Sequence, residues 1–94
     1  MNFQLREDDP LESRPYTARV LFTPEISFWV REGMSYYATE VAETPDGMLV
    51  TLRAHQEAEL LQWILGWGGN ARVLEPESLK TLIRQEARKM LESC

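Results

Sequence analysis

The stretch from Tyr36 to Ala54 reads YYATEVAETPDGMLVTLRA and carries the clearest structural signal in the chain. Residues 36–44 and 48–54 are rich in side chains that favour β-structure, and Pro45-Asp46-Gly47 separates the two runs. Proline fixes φ at a turn position, aspartate hydrogen-bonds the backbone of a turn, and glycine accepts positive φ. The stretch therefore predicts an antiparallel β-hairpin, with Met48, Val50 and Leu52 on one face of its second strand.

Upstream of the hairpin, the sequence predicts a strand and then a short helix. Residues 17–22 alternate in polarity with the period of two that is typical of a strand. Thr23-Pro24-Glu25 follows, and it resembles a helix start: threonine can cap free N–H groups, proline suits the first helical position, and glutamate complements the helix dipole. The apolar face of this helix is predicted to carry Ile26, Trp29 and Val30.

Downstream of the hairpin, the sequence predicts a second helix, a fourth strand and then a last helix. Residues 57–67 predict an amphipathic helix that ends at a glycine-rich run, and residues 71–75 predict a short strand. Pro76-Glu77 begins the last helix, whose apolar residues recur at intervals of three and four. That stripe consists of Leu79, Leu82, Ile83, Ala87, Met90 and Leu91.

The predicted order is βαββαβ plus a C-terminal helix, which indicates an α+β fold with a ferredoxin-like antiparallel sheet. Both crossover helices then lie on one face of the sheet. The last helix covers the other face or packs on a partner chain; the sequence leaves both placements open. Residues 1–16 mix charges and prolines without a sustained period and are predicted to be a linker or arm, so residues 17–94 form the single domain.

Composition excludes several classes of function. The 94 residues carry a formal net charge of −5, which disfavours duplex DNA as a direct partner of this domain. No apolar run is long enough to cross a membrane, and a cytoplasmic location is expected. One histidine, His55, and one cysteine, Cys94, are too few for a zinc site, and no nucleophile with an orienting base is recognisable. We expect no enzymatic activity, cofactor or metal.

Three stretches together carry a family resemblance: RVLF at residues 19–22, the Asp46-Gly47 turn with LVTL at residues 49–52, and ELLQWILGWGGNARVLEPESLKTL at residues 59–82. From about Thr17 to the C-terminus, the chain resembles the C-terminal extension (WCX) domain of WYL-domain bacterial transcriptional regulators. Linear order and spacing carry the likeness, since none of the three stretches is a catalytic motif.

The resemblance implies a ferredoxin-like module that forms a homodimer and helps a WYL domain, in the same or a partner regulator, respond to an effector. In some members that effector is a nucleotide or a nucleic acid. This chain departs from the whole regulator, because its sequence contains neither a helix-turn-helix nor a WYL domain. The resemblance therefore does not transfer duplex DNA binding to it, and both a fragment and a stand-alone extension remain open.

The candidate binding residues are Arg19, Arg53 and Arg72, with Leu21 and Leu74 beside them. Alternation places these side chains on the sheet face opposite the crossover helices, on strands predicted to be neighbours. Arginine presents a planar fork that suits phosphate and carboxylate groups. The arginines are interpreted as an anion or nucleotide platform, as a contact for an acidic patch on a WYL domain, or simply as solvated or carboxylate-paired residues.

Three functions are compatible with the sequence. The first is a regulatory, dimerisation and effector-response module of a WYL-type regulator. The second is a ligand-sensing ferredoxin-like domain that binds a small molecule or a nucleotide. The third is a weak binder of single-stranded nucleic acid through the arginines, which would be sensitive to salt. The sequence ranks them in that order.

Overall fold

The computed structural model describes residues 13–32 and 36–94. Within these ranges, four strands form one sheet, and the strands and three helices follow one another in the predicted order. The elements of these ranges are β1 (Tyr16–Phe22), α1 (Ser27–Glu32), β2 (Ala38–Thr44), β3 (Gly47–Ala54), α2 (Glu57–Leu65), β4 (Ala71–Glu75) and α3 (Glu77–Ser93). Short 3-10 turns at Pro24–Ile26 and Gly68–Asn70 precede α1 and β4. Residues 1–12 of the predicted arm lie outside the described residues.

The strands pair in the spatial order β2-β3-β1-β4, and every pairing is antiparallel. Val20 at the centre of β1 lies opposite Val50 on one side and Val73 on the other. A first strand between the third and the fourth is what two crossovers around a central hairpin produce in the ferredoxin-like arrangement. The predicted α+β class and the additional C-terminal helix are confirmed.

The hydrophobic core lies on one face of the sheet, and all three helices contribute to it. Alternation along the strands selects the residues that enter it, as Met48, Val50 and Leu52 of β3 show with no exposed surface. The fully buried members from the helices are Val30 of α1 and Leu79 of α3, and Leu60 and Ile64 of α2 join them. The opposite face of the sheet therefore receives no cover from a described helix.

The hairpin turn depends on Gly47. Its φ of 140° lies in the region that only glycine adopts readily. A Cβ atom at this position would also collide with the backbone carbonyl oxygen of Phe22 on the neighbouring strand. The Thr44 hydroxyl completes the turn by donating to the Gly47 carbonyl at 2.8 Å and accepting from the Asp46 N–H at 3.2 Å. The predicted hairpin is confirmed, and the glycine is a steric requirement.

The role predicted for Thr23 is wrong, because its side chain does not cap a helix. The Thr23 hydroxyl donates instead to the Asn70 side-chain oxygen at 3.1 Å, and the Thr23 N–H donates to the Asn70 carbonyl at 3.0 Å. The segment also starts as a 3-10 turn, in which Ile26 bonds back to the Thr23 carbonyl at 3.2 Å. Thr23 therefore joins the end of β1 to the turn that precedes β4.

Trp29 does not lie on a buried face of α1 as predicted. The helix has six residues, and Val30 is its only buried one. Trp29 is 62% exposed and contacts Phe28, which is 60% exposed, edge-to-face with 5.3 Å between the ring centroids. A helix this short directs only one position squarely at the sheet, so its neighbour one residue earlier turns about 100° away. The sequence also predicts that this helix ends at Gly33, which lies outside the described residues.

The last helix packs against α2 and the edge strand β4, on the same side as the core. Leu79 near its start is fully buried, and Ile83 is partly buried. Further along, Met90 is 58% exposed and Leu91 is 76% exposed. Of the two placements that the sequence leaves open, cover over the other face of the sheet is thereby excluded.

Candidate functional site: the open face of the sheet

The face of the sheet that the helices leave uncovered carries a mixture of arginine, leucine and threonine. We call it the open face and define it by the outward residues of β1, β3 and β4. They are Thr17, Arg19, Leu21, Leu49, Thr51, Arg53, Arg72, Leu74 and Glu75. All five predicted binding residues belong to this set, on three adjacent strands. Mixed apolar and arginine surface is typical of protein interfaces.

Strand register sets the three arginines on a diagonal across the sheet. Thr17 lies opposite Arg53, and Arg19, two positions along β1, lies opposite Thr51. Another two positions along, Leu21 lies opposite Arg72 of β4. Diagonal neighbours on adjacent strands are about 7–8 Å apart at their Cα atoms, within reach of long side chains. The arginine strands are adjacent as predicted, but each guanidinium has different surroundings.

Arg19, in the middle of the diagonal, forms an ion pair with Glu75 of β4, with 3.6 Å between Nη1 and Oε2. The side chains are 47% and 60% exposed. A register shift next to Arg19 lets Glu75 lie opposite it. Exposed pairs of this kind contribute about 0–1 kcal/mol, so an incoming anion or carboxylate can compete for the arginine at little cost.

Arg53 is held by the chain that enters β1. Its Nη2 donates to the Arg14 carbonyl at 3.0 Å, and Nη1 of Arg14 donates back to the Arg53 carbonyl at 3.3 Å. The Arg53 Nε is buried and has no hydrogen-bond partner among the described residues. Arg53 therefore stabilises this end of the sheet through its hydrogen bond to Arg14, and its side chain also belongs to the open face.

Arg72 differs from the other two because it forms no ion pair within the described residues. It lies on the edge strand β4, beside a hollow of about 420 Å³ that Lys80 and Arg84 of α3 also line. Of the three predicted arginines, Arg72 is the one whose guanidinium is most available to an anion.

The apolar part of the open face is continuous across two strands. Leu21 and Leu49 lie directly opposite each other and are half-buried, and Leu74 is 39% exposed. A shallow depression of about 350 Å³ extends from Arg19 and Leu49 towards Glu40 of β2. The leucines supply apolar contact area on the open face, and the charged residues beside them supply groups for directional polar contacts.

A polar cluster that the sequence does not reveal lies at the start of β1. Arg14 is only 3% exposed, its guanidinium lies 4.0 Å from the ring centroid of Tyr36, and its Nη1 donates to the Tyr36 carbonyl at 3.0 Å. Burial raises the pKa of the neighbouring Tyr37 hydroxyl, and the charge and hydrogen bond of Glu59 raise it further. Arg14 lies between Ser13 and Pro15, in a segment that reads as linker, so no local pattern marks it.

The described residues offer neither a metal site nor a membrane-spanning helix. Within them, no group of three or more histidine, cysteine, aspartate or glutamate side chains is placed to hold a metal ion. His55 is exposed in the turn between β3 and α2. No helix of the described ranges is both long and apolar enough to cross a bilayer.

The sequence of the chain matches one family of domains. The family model of the WCX domain matches residues 14–91 of the 94-residue chain. The chain belongs to the WCX domain family. The match begins at Arg14, the buried arginine that fastens the start of β1.

WCX is a regulator-associated domain that accompanies WYL domains, and it is not a known enzyme family. A search among curated proteins found no match. The open face of this WCX domain offers leucine area, an arginine that pairs with no described carboxylate and one exchangeable arginine–glutamate pair. Such a surface can bind another protein or an anion without chemistry on the bound molecule.

Proposed function

We propose that this WCX domain is the regulatory extension of a WYL-type transcriptional regulator and binds a WYL domain through its open face. The observation that carries the proposal is a sheet face that no described helix covers, on which partly exposed leucines lie beside arginines. Membership of a regulator-associated family supports the class of partner. The described elements include no helix-turn-helix. We therefore propose that this domain contributes protein contact and response to an effector rather than contact with duplex DNA.

The leucines and arginines of the open face determine which chemical groups a partner surface must present to them. Leu21, Leu49 and Leu74 call for apolar side chains, and burial of apolar area contributes roughly 25 cal/mol per Å². Arg72 and Arg19 call for carboxylates on the WYL domain, because a paired arginine tolerates burial at an interface and an unpaired one does not. We therefore propose an interface in which apolar contacts to the leucines adjoin acidic contacts to the arginines.

The proposal extends to the assembly of the regulator. Two copies of the extension form a homodimer within it, and effector binding changes how the WYL and WCX domains contact each other. The two halves of this arrangement are separable by experiment, because self-association needs only the domain itself whereas docking needs the WYL domain.

A titration of the labelled domain with the purified WYL domain of the same regulator, or of a partner regulator from the same source, tests the docking. The expected result is saturable binding with NMR shift changes centred on Leu21, Leu49 and Arg72. Leu49→Asp should weaken it at least tenfold, because a carboxylate would replace apolar contact beside the required arginines. Gln85→Asp on the exposed side of α3 is the matched control. Shift changes confined to the helix side would overturn the open face as the docking site.

A second candidate is a nucleotide or single-stranded oligonucleotide as the effector, and the absence of an ion pair at Arg72 among described residues favours it. Binding of labelled oligonucleotides and nucleotides at low and high salt tests it with Arg72→Ala and with the triple variant Arg19→Ala/Arg53→Ala/Arg72→Ala. Affinity that falls with salt and with these substitutions supports it. A folded domain that binds none of them excludes an autonomous effector site there.

A further inference from the structure

A groove runs along α3 on the side that faces the rest of the domain. It consists of two hollows, of about 430 Å³ and about 420 Å³, that share Gly69, Ala71 and Ile83 as common walls. One hollow follows the second half of α3, and the other follows its first half beside β4. The two hollows therefore adjoin at these residues as the two ends of the groove, and their lining residues differ in chemistry.

The end along the second half of α3 is apolar. Ile64 and Leu65 of α2 form its floor, and Ala87, Met90 and Leu91 of α3 form its wall. Met90 and Leu91 are 58% and 76% exposed, although they continue the same helix stripe as the fully buried Leu79. Exposed side chains beside an apolar hollow of this size are typical of a surface that binds an apolar group.

The other end carries three cations, Arg72 of β4 and Lys80 and Arg84 of α3. Lys80 and Arg84 each lie 3.6 Å from the carboxylate of Glu77; Arg84 and Glu77 are exposed to solvent, and Lys80 is partly exposed. Solvent-exposed pairs of this kind are weak, so an incoming anion can displace Glu77 from either cation. The three cations concentrate positive charge at one end of the groove, although the net charge of the chain is −5.

We propose that this groove binds an anionic single-chain amphiphile, with the hydrocarbon chain at the apolar end and a carboxylate or phosphate among Arg72, Lys80 and Arg84. Along a helix with a rise of 1.5 Å per residue, Arg84 and Leu91 are about 10 Å apart, a span that a medium-length acyl chain covers. The apolar end alone would not distinguish among hydrophobic occupants. The adjoining cations select one with a negative head group.

Gly69 makes the proposal testable without damage to the fold. It lies where the two hollows meet, and a Cβ atom built on it finds no other atom within 4 Å. Its φ is not positive, unlike that of Gly68 at 64°. A side chain at position 69 therefore enters open space rather than the core. Because Gly69 lines both hollows, Gly69→Phe should obstruct the groove in a folded domain.

The experiment measures binding of dodecanoate and dodecyl phosphate by calorimetry and by tryptophan fluorescence, with all ligands below their micelle concentrations. We expect saturable binding of both anions. Dodecyl maltoside, which lacks the charge, and acetate, which lacks the chain, should bind at least tenfold more weakly. Gly69→Phe should abolish binding, and Lys80→Ala/Arg84→Ala should weaken it at least tenfold.

Two control variants test whether these losses are specific to the groove. Gln85→Phe adds the same ring on the exposed side of α3, and Arg88→Ala removes a cation that does not line the groove. Both should bind like the wild type, and circular dichroism should show every variant folded. Equal binding of dodecyl maltoside, or binding that survives Gly69→Phe, would overturn the proposal. So would sedimentation data in which Gly69→Phe abolishes self-association while the wild type binds no amphiphile, because the occupant would then be a second copy.

Arg72 and Leu74 belong to the open face and also line the groove, so the two surfaces are separated with variants at other residues. Leu49→Asp changes the open face and leaves the groove intact, whereas Gly69→Phe changes the groove and leaves the leucines of the open face intact. Failure of one proposal therefore leaves the other standing.

Discussion

The two faces of the sheet are built from the same strands and have opposite properties. On β3, Met48, Val50 and Leu52 have no exposed surface, whereas Leu49 and Thr51 between them are half-exposed. Alternation along the strands assigns residues to the two faces, and the helices then cover only one of them. Leucine by itself therefore does not mark the core of this domain, because Leu52 is core and Leu49 is surface.

The largest effect on stability should come from Gly47→Ala. This substitution disrupts the turn between β2 and β3, on which both faces of the sheet depend. The substitution forces a residue with a Cβ atom to a φ of 140°, and that atom meets the Phe22 carbonyl. The backbone strain alone costs about 1–3 kcal/mol, and the collision adds to it. We expect a loss above about 3 kcal/mol in urea unfolding. A variant as stable as the wild type would show that the turn rearranges without cost.

Next in size, Leu52→Ala and Leu49→Ala compare the two faces directly with the same chemical change. Leu52→Ala leaves a cavity in the core and should lower the unfolding free energy by about 2–5 kcal/mol. Leu49→Ala should lower it by about 1 kcal/mol or less, because its side chain is already partly in water. Equal losses in urea unfolding would mean that another part of the chain buries the open face in solution.

A smaller difference should separate two arginines of the open face. Arg53→Ala removes the guanidinium that donates to the Arg14 carbonyl, and hydrogen bonds of charged groups contribute about 1.5–3 kcal/mol. Arg72→Ala should change stability by less than about 0.5 kcal/mol, since no described carboxylate pairs with it. Thermal unfolding of both variants measures the difference. If Arg72→Ala is the more destabilising, Arg72 has a structural partner in the folded domain.

The smallest effect concerns Tyr37, whose pKa is raised above its ordinary value of 10.0 by burial and by Glu59. The folded state then holds the hydroxyl proton more tightly than the unfolded state does. This contribution to stability is complete below about pH 10 and is lost as the pH rises towards the higher pKa of the folded state.

Tyr37→Phe tests that pH dependence. The stability difference between wild type and Tyr37→Phe should shrink or reverse between about pH 8 and about pH 11. Tyr16→Phe, at an exposed tyrosine, controls for the general effect of alkaline pH. A difference that stays constant with pH would show that Tyr37 ionises equally in the folded and unfolded states.

Much of the fold could be predicted from local patterns. The hairpin, the alternation of β1 and β3, and the order of the elements follow from turn chemistry and from periods of two and 3.6 residues. The strand neighbours followed in turn, because few connections satisfy right-handed crossovers. The exposure of Trp29 could not be predicted, because helical spacing indicates a face but not whether a six-residue helix turns that face inward.

The candidate site was predictable in part. Alternation placed Arg19, Arg53 and Arg72 on one face, but their pairing depends on register, which no local pattern contains. The bond between Arg53 and Arg14 joins residues 39 positions apart, and Arg14 lies in a segment with no periodic signal. The groove along α3 could not be predicted, because it arises where α2, β4 and α3 meet.

Local sequence alone fixes the elements of this WCX domain, their order and the face of the sheet that each strand residue takes, because those depend on turns and on short periods along the chain. Three further features required the folded domain: where α3 packs, which arginine pairs with which carboxylate, and that an apolar hollow adjoins three cations. Burial, ion pairing and grooves depend on residues that are far apart in sequence. Packing brings those residues together, and packing is a property of the whole domain.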